Sequence, residues 1–428
     1  MDNFLRGCRI AGDKQFLGAR KLNEDKKPED QFTWLTYNEV RTRAEHFGSG
    51  LLNLTGCQPG NEQNVGIYSS NCPDWIVSEF GVMFFNMVFV PLYNTLGDEA
   101  MRFIVDQAEL SVVILDHVKS LNTFVKDVVG TEEGKNLKFI VMFDVNGVDE
   151  QLTQKLSESR IKIFSMDEIV NSGVSNPREL VLPTENDIAV INYTSGTTGH
   201  PKGVLLTHKN MYASATGCKF QIPKKVSFRQ SDVWFSYLPL PHVFERLVQI
   251  AIIEEGASIG FITNGDIRHM ASDLSILKPT LFGGVPKVYQ RFYDKLMAAR
   301  SESWIAGKIV NLAVSSKVSD LKSGEISKST IWDKLVFKKI QDGLGGRVRV
   351  CFIGAAPISE DVLNVLRVAL GCMIYNGYGQ TECSGAACAS SWKDATVGTA
   401  PLVCNELKLV DVPDMKYFSK DDKGEVQR

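Results

Sequence analysis

The sequence of 428 residues contains no uninterrupted apolar run long enough to cross a lipid bilayer, which takes roughly 20 residues. Its longest apolar runs are broken by Asn86 and by Glu254 and Glu255. The first residues, Met1-Asp-Asn-Phe-Leu-Arg6, include no apolar stretch of the kind found in a secretory signal peptide. The sequence therefore predicts neither a membrane span nor a signal peptide.

Paired cysteines and clustered basic residues are also missing. None of the nine cysteines form a Cys-x-x-Cys pair and the six histidines are dispersed, which argues against a zinc site. An odd, irregularly spaced set of cysteines is typical of reduced thiols in the cytosol. The net charge of −3, with lysines and arginines scattered, argues against a general nucleic-acid-binding role, because such binding needs a concentrated basic surface.

Short apolar runs alternate with helix-like segments along most of the chain, which indicates an α/β protein with mainly parallel sheets. In 301–342, lysines and serines alternate with isolated apolar residues, and this pattern predicts a helical insertion on the surface. The predicted strands are 65–68, 88–91, 112–115, 139–143, 188–193, 233–238, 258–262, 281–283 and 348–353. The predicted helices are 74–85, 98–108, 209–217, 244–254, 285–299 and 360–369.

Residues 193–203 carry the strongest functional signal of the chain, Tyr-Thr-Ser-Gly-Thr-Thr-Gly-His-Pro-Lys-Gly. Glycines let the backbone approach an anion closely, while hydroxyls and clustered N–H groups supply donors and Lys202 adds a positive charge. The loop is not a Walker A loop, because Gly203 rather than Ser or Thr follows Lys202. Thr207 is the predicted N-cap of the next helix. The pattern predicts a polyphosphate cradle made of Thr194, Ser195, Gly196, Thr197, Thr198, Gly199 and Lys202.

A second cluster, Tyr375-Asn-Gly-Tyr-Gly-Gln-Thr-Glu382, lies far downstream. An aromatic ring can stack on a purine, glycines permit close backbone approach, and Glu382 can hold Mg²⁺ beside phosphates. A common Gly-Tyr-Gly turn followed by an exposed acid would give the same pattern. The cluster becomes strong evidence for a nucleotide site only together with the phosphate cradle.

Two further segments follow predicted strands. Gly354-Ala-Ala-Pro357 comes after strand 348–353, and ligands of α/β sheets bind beyond the carboxyl ends of strands. Small residues there allow a flat base to lie against the backbone, although a tight strand-to-helix turn needs the same residues. His242 lies at a predicted helix start, where it can donate to a phosphate or a carboxylate. Glu245 and Arg246 are expected to pair locally, without a catalytic role.

The block at 193–203 resembles the phosphate-loop signature of the acyl-adenylate-forming enzymes. This resemblance implies that a carboxylate attacks the α-phosphorus of ATP to give an acyl-adenylate and pyrophosphate. It places adenine against the segments with Gly354, Ala355 and Ala356 and with Tyr375, Gly377, Tyr378 and Gly379, and His242 near the α-phosphate. The implied catalytic residues are Lys202, His242, Thr381 and Glu382, with Thr381 also binding nucleotide and with Glu382 and Thr194 binding Mg²⁺.

Segments 90–96, 284–289, 377–383 and 404–412 resemble the long-chain fatty acyl-CoA synthetase branch of this family, and the resemblance extends from about Phe32 to the last residue. It implies a ligase that joins a long-chain fatty acid to coenzyme A at the expense of ATP. The implied fold is the N-terminal domain of an adenylate-forming enzyme, with two α/β subdomains in 1–400 and the start of a small β-barrel in 401–428. The resemblance also implies a location on the cytoplasmic side of a membrane, since members of the family occur at the endoplasmic reticulum, the mitochondrial outer membrane or the peroxisome.

Comparison with the family pattern predicts a chain truncated at both ends, without the C-terminal lid domain, and Thr-Gly-Asp occurs nowhere in the sequence. We therefore expect the activity of these residues to be impaired, and a non-catalytic nucleotide- and acyl-binding fragment or isoform is the alternative. An amino-acid-adenylating enzyme would need an acid in the pocket to pair with the substrate amine, and the residues after Pro239 offer no convincing candidate. The acyl chain is expected between 235–240, 282–285 and the residues before Tyr378, and 407–410 is expected to form an edge strand.

Overall fold

Strands and helices alternate along the chain. The computed structural model describes residues 1–23, 25–93, 97–194, 199–301, 303–391, 396–415 and 418, apart from the side chains of 299–301. The strands are β1 (Gln15–Ala19), β2 (Thr33–Thr36), β3 (Asn64–Tyr68), β4 (Val88–Pro91), β5 (Val112–Leu115), β6 (Phe139–Met142), β7 (Lys162–Ser165), β8 (Ile188–Thr194), β9 (Lys202–Thr207), β10 (Val233–Ser236), β11 (Ser258–Phe261), β12 (Leu281–Gly284), β13 (Val350–Ile353), β14 (Met373–Tyr378), β15 (Cys388–Ala389) and β16 (Ala400–Pro401).

The helices between these strands cover the faces of the sheets. They are α1 (Asp2–Ala11), α2 (Tyr37–Thr55), α3 (Pro73–Met83), α4 (Asp98–Gln107), α5 (Val118–Asp127), α6 (Glu150–Glu158), α7 (Met166–Ser175), α8 (His208–Gln221), α9 (Val243–Ile253), α10 (Met270–Leu277), α11 (Pro286–Ser301), α12 (Trp304–Lys322), α13 (Lys338–Gly343) and α14 (Glu360–Leu370). The predicted strands and helices all form, with ends shifted by a few residues. Thr207 caps α8 as predicted, since its side chain accepts from the Asn210 N–H at 3.1 Å.

The strands of the described residues build two mainly parallel sheets. The smaller has the order β7-β6-β5-β3-β4-β8-β9, and the larger has the order β16-β15-β14-β13-β12-β10-β11-β1-β2. The first strand of the chain joins the larger sheet, because β1 pairs in parallel with β11. The prediction of two α/β units with mainly parallel sheets is confirmed, whereas the boundary between 400 and 401 stays a prediction.

Helices α2 and α7 pack with their backbones in contact. A Cβ atom built on Gly50 would lie 1.7 Å from the Ile169 carbonyl oxygen, and one on Gly173 would lie 1.8 Å from the His46 carbonyl oxygen. Such distances leave no room for any side chain. The capping box of Thr36 and Glu39 starts α2, and Gly56 in the left-handed region ends it.

Segment 301–342 is helical, as predicted, but the prediction of a surface insertion is wrong. Val310, Ala313 and Phe337 are buried in one hydrophobic cluster with Phe282 of β12. Lys317 and Asp333 form an ion pair with an Nζ–Oδ1 distance of 2.6 Å, and their side chains are only 4% and 3% exposed. Isolated apolar residues spaced along a helix can form a continuous apolar stripe that packs into a core. In this segment the many lysines and serines between them made the stripe difficult to recognise from sequence.

Two further predictions concern strands and cysteines. Residues 407–410 form no strand, so the predicted edge strand is wrong: among the described residues no neighbouring strand pairs with this segment, and an unpaired strand is unstable in water. The nine cysteines are free thiols, and Cys351 is fully buried in the core. Within the described ranges, no helix is both long and apolar enough to cross a bilayer.

Candidate active site

A cavity of about 340 Å³ opens where the larger sheet meets the end of β8. The parallel strands β13 and β14 end here, with Phe352 opposite Tyr375 in the register of the pair. Their carboxyl ends lead into Gly354 and Gly379, which both line the cavity. This is the position at which open α/β sheets bind ligands. Most of the residues predicted from separate motifs therefore meet in one place.

Not all of the predicted site residues line the cavity, and those that do come from both halves of the sequence. Ala356 and Lys202 are exposed and lie outside the lining, and Gly199 is also outside it. The predicted Ser195, Gly196, Thr197 and Thr198 lie outside the described residues. The lining includes Thr194, His242, Gly354, Ala355, Tyr375, Gly377, Tyr378, Gly379, Thr381 and Glu382.

Antiparallel pairing of β8 with β9 sets the ends of the predicted phosphate cradle. Thr194, the last residue of β8, lies opposite Lys202, the first residue of β9. Gly199, in the connection between them, has a φ of 106°, which favours glycine. Lys202 therefore stands beside Thr194 at the mouth of the cavity without lining it.

Gly354, Ala355 and Gly379 allow the backbone to come close around the cavity. A Cβ atom on Gly379 would lie 1.7 Å from the Gly385 carbonyl oxygen, so only glycine fits at this position. A Cβ atom on Gly354 would lie 3.2 Å from the carbonyl oxygen of Gly377 on the neighbouring strand. Ala355 adopts a φ of 70°, in the left-handed region that costs a residue with a Cβ atom about 1 kcal/mol or more. The turn after β13 thus carries strain at the site, as binding turns do.

His242 is the N-cap of α9, and its ring lines the cavity. Its Nδ1 atom accepts a hydrogen bond from the Phe244 N–H at 3.2 Å. This bond assigns the proton of the neutral ring to Nε2, which is then a donor. Desolvation in the cavity lowers the pKa of His242 below its ordinary value. The ring is therefore a neutral hydrogen-bond donor at pH 7.

The two aromatic residues of the second cluster occupy different surroundings. Tyr375 is buried and stacks on Phe352, with ring centroids 6.0 Å apart and an angle of 24° between the planes. Tyr378 is 51% exposed and lines the cavity. A flat base can thus reach the ring of Tyr378, whereas Tyr375 shapes the wall beneath it.

The apolar part of the cavity lies between α8 and α9. The residues predicted for the acyl site line the cavity only in part: Tyr375 and Gly377, which precede Tyr378, do so, whereas 235–240 and 282–285 do not. The position of the acyl chain itself stays a prediction. Phe235 and Phe282 are fully buried in the hydrophobic cluster behind the sheet, and neither reaches the cavity. The apolar wall consists instead of Cys218, Ile222, Phe228, Val243, Phe244, Leu247, Val248, Ala251 and Phe352, together with the ring of Tyr375.

Sequence reasoning missed this wall because α9 is apolar on nearly every side. Its sequence, Val-Phe-Glu-Arg-Leu-Val-Gln-Ile-Ala-Ile-Ile, places Leu247 and Ala251 on the cavity side and Ile252 in the core. Its three polar residues, Glu245, Arg246 and Gln249, are themselves buried, so they do not mark a solvent-facing side from which the orientation of the helix could be read. The spacing of four residues between Leu247 and Ala251 was the one available signal.

Glu245 and Arg246 do not pair with each other, so that expectation is wrong. Glu245 is fully buried and accepts hydrogen bonds from Trp234 Nε1 at 2.9 Å and from Gln249 Nε2 at 2.8 Å. Burial raises its pKa to about 7. Arg246 instead binds the carboxylate of Glu79 on α3. Adjacent helix positions point in different directions, which separates the two side chains.

A magnesium site would have to use few protein ligands. No group of three or more His, Cys, Asp or Glu in the part of the chain that the structure describes is arranged to hold a metal ion. Glu382 and Thr194 line the same cavity and offer one carboxylate and one hydroxyl. Mg²⁺ bound beside phosphates commonly takes only one or two protein carboxylates and completes its shell with water and phosphate oxygens. The residues present fit such an ion.

Comparisons with known proteins agree with this geometry. The family model described as AMP-binding enzyme matches residues 13–427. The chain is 41% identical to long-chain-fatty-acid–CoA ligase 5 of Mus musculus and 38% identical to long-chain-fatty-acid–CoA ligase 1 of Homo sapiens. In both cases the match covers 99% of this chain and about 60% of the relative, which is longer.

Solved structures show the same fold. The adenylation and carrier didomain of the carboxylic acid reductase from Segniliparus rugosus, solved in complex with AMP, superposes with a TM-score of 0.77 at 20% identity. That match covers 98% of this chain and 56% of that chain. The anthranilate CoA ligase AuaEII, solved with anthranoyl-AMP, gives a TM-score of 0.69 at 21% identity over 96% of this chain and 65% of that one. The described residues thus have the fold of the N-terminal domain of adenylate-forming enzymes, and the chain belongs to the AMP-binding enzyme family.

Proposed function

We propose that this chain carries the nucleotide- and acyl-binding site of a long-chain fatty acid–CoA ligase. In the proposed reaction the fatty acid carboxylate attacks the α-phosphorus of ATP and pyrophosphate leaves. The thiol of coenzyme A then attacks the acyl carbon of the adenylate, loses its proton and releases AMP. The observation that carries the proposal is one continuous cavity with a polar end at β13, β14 and β8 and an apolar end between α8 and α9.

Each end of the cavity supplies a different interaction. The ring of Tyr378 and the backbone at Gly354 suit a purine, and the Thr194 hydroxyl and His242 Nε2–H suit phosphate and carboxylate oxygens. A neutral donor at His242 stabilises the negative charge that develops during attack without forming a tight ion pair with the free acid. The two curated relatives named above are both long-chain-fatty-acid–CoA ligases, which supports a long acyl chain as the occupant of the apolar end.

Magnesium would be held by Glu382 and Thr194, and when bound it supplies positive charge next to the phosphates. The protein residues orient the two substrates around it. The apolar wall excludes water from the acyl chain, and His242 donates at the reacting carboxylate or α-phosphate. Location on the cytoplasmic side of an organelle membrane stays a prediction.

The test uses the whole chain and acyl-sulfamoyl-adenosines, which mimic the acyl-adenylate. Calorimetry should show affinity rising by about fourfold for each added CH₂ until the apolar end is full, because each buried CH₂ contributes about 0.8 kcal/mol. An affinity that does not change between the octanoyl and palmitoyl compounds would contradict a long-chain site.

Pyrophosphate exchange on the same preparation separates the ligase from its alternative. Exchange that depends on palmitate supports the ligase. Tight, length-dependent binding without any exchange supports the alternative, a protein that binds nucleotide and acyl chain without turnover. An exchange-competent contaminant is excluded when His242→Ala, purified in parallel, shows a clearly lower exchange rate.

A further inference from the structure

The loop that carries His242 belongs to the larger sheet, but residues of the smaller sheet hold it in place. Asn71, which follows β3, donates from Nδ2 to the Leu238 carbonyl oxygen at 2.6 Å and to Ser236 Oγ at 3.0 Å. Its Oδ1 accepts from the Leu240 N–H at 3.0 Å. Asn71 is only 7% exposed. This side chain therefore fixes the first half of the loop.

Tyr93, which follows β4, holds the second half. Its hydroxyl donates to the Pro241 carbonyl oxygen at 2.8 Å and accepts from Asn192 Nδ2 at 3.2 Å. Asn192 is fully buried on β8, two residues before Thr194. Because β3, β4 and β8 are neighbours in the smaller sheet, Asn71, Tyr93 and Asn192 come from one end of it. One hydroxyl thus links the strand of Thr194 to the peptide before His242.

The peptide between Pro241 and His242 is held on both sides. Its carbonyl oxygen accepts from Tyr93, and its N–H donates to the Pro239 carbonyl oxygen at 2.9 Å. Rotation of this peptide would move the Cα–Cβ bond of His242 and hence the ring. The Nδ1 bond to the Phe244 N–H fixes the orientation of the ring only relative to its own helix. The Tyr93 bond ties the peptide next to His242 directly to the smaller sheet.

We propose that the Tyr93 hydroxyl is a positioning group that sets the place of His242 relative to Thr194 in the cavity. The proposal rests on the proposed function of His242. Tyr93 need not touch a substrate. Burial raises the pKa of Tyr93, so the hydroxyl keeps its proton and remains a donor at neutral pH. A displacement of about 1 Å at a reacting group can lower a rate by about 10²-fold, which is the scale of effect to be expected.

The test is Tyr93→Phe, with Tyr37→Phe as the matched control. The Tyr37 hydroxyl also donates to a backbone carbonyl, that of Ala257 at 2.6 Å, and it is buried outside the cavity. Both variants lose one such bond, so both should lower the melting temperature. Tyr93→Phe should in addition lower kcat of pyrophosphate exchange by about tenfold or more, up to about 10²-fold, with KM for ATP little changed. Tyr37→Phe should leave kcat within about twofold of the starting protein, since neither Tyr37 nor its partners Ile253 and Ala257 line the cavity.

A double-mutant cycle with His242→Ala tests whether Tyr93 acts through His242. Tyr93→Phe should cost nothing further in kcat once His242 is gone. An equal loss of kcat in both backgrounds, or a matching loss in Tyr37→Phe, would overturn the proposal. So would a Tyr93→Phe protein with unchanged kcat.

A readout that does not need turnover keeps the proposal separate from the proposed function. Side-chain ¹⁵N spectra of the six histidines, with His242 assigned from the His242→Ala spectrum, report its tautomer and its pKa. Tyr93→Phe should shift the His242 resonances and move its pKa toward the ordinary value, and Tyr37→Phe should not. Unchanged His242 resonances in Tyr93→Phe overturn the proposal even if the protein is inactive. A shift without any exchange in the starting protein supports the positioning role and rejects the ligase.

Discussion

Removing the carboxylate of Asp333 should destabilise the protein far more than its place in a lysine- and serine-rich segment suggests. The carboxylate accepts from Lys317 Nζ at 2.6 Å, from Gln341 Nε2 at 2.8 Å and from the Thr330 N–H at 2.9 Å. Asp333→Ala leaves the Lys317 ammonium buried without its counter-charge. Breaking a buried pair from one side typically costs about 3–5 kcal/mol. A solvent-exposed pair would contribute only about 0–1 kcal/mol.

The free energy of unfolding is measured in urea at pH 7, with the exposed pair of Lys338 and Asp342 as the control. This pair lies in the same segment with an Nζ–Oδ2 distance of 2.6 Å, but its side chains are 67% and 54% exposed. Asp342→Ala should therefore cost no more than about 1 kcal/mol. The double variant Lys317→Met with Asp333→Leu should recover most of the stability lost in Asp333→Ala, because it leaves no buried charge.

The pH dependence provides a second check. Burial would raise the pKa of Asp333, but hydrogen bonds from Lys317, Thr330 and Gln341 outweigh this effect and lower the pKa. A lowered carboxyl pKa contributes stability above the ordinary aspartate pKa of about 4 and loses it as the pH falls through the folded-state value. The difference between the starting protein and Asp333→Ala should therefore shrink as the pH falls through that acidic range. A cost below about 1 kcal/mol at pH 7 would refute the assignment of this segment to the core.

Four further changes test the cavity. Ala251→Leu should fill the apolar end and weaken binding of the palmitoyl more than of the octanoyl sulfamoyl-adenosine; equal weakening would place the acyl chain elsewhere. Lys202→Ala and Thr197→Ala should weaken ATP binding in calorimetry without lowering the melting temperature, and unchanged affinity in both would reject the phosphate cradle. Glu382→Gln should raise the Mg²⁺ concentration needed for half-maximal pyrophosphate exchange, whereas an unaltered Mg²⁺ dependence would exclude it as a ligand. Because the pKa of His242 is lowered, exchange should stay constant as the pH falls to about 6.5, the ordinary histidine pKa, and decline only below it; a decline centred above that value would contradict a neutral donor.

The polar end of the cavity could be predicted from sequence because its signals are local. Gly379 and the neighbouring Thr381 and Glu382 lie within a few residues of one another, and the glycine is required by a backbone contact inside the same turn. A glycine that is required by a contact within its own turn can be recognised from a short stretch of sequence. The strands before these turns are equally readable, because a buried parallel strand is a short apolar run between breakers.

The apolar end of the cavity and the support of His242 could not be predicted, since both depend on contacts between distant parts of the chain. Tyr93 and Pro241 are 148 residues apart, and no feature of the sequence around Tyr93 indicates its partner. The membership of β1 in the larger sheet likewise depends on pairing with β11. In segment 301–342 the apolar residues could be recognised, but Lys317 and Asp333 are residue types that usually lie on the surface. Nothing in the sequence indicated that they form a buried ion pair.

The backbone contact between α2 and α7 limits how this protein can vary. At Gly50 and Gly173 the obstacle is main chain from the opposite helix, so no exchange of a neighbouring side chain could make room for even a methyl group. A core position lined by side chains can accept a larger residue when a neighbour becomes smaller, and these two positions lack that option. We expect sequences that diverge from this one to keep both glycines or to lose α7 from its present place. Two residues with no chemistry at the active site would then be among the slowest to change.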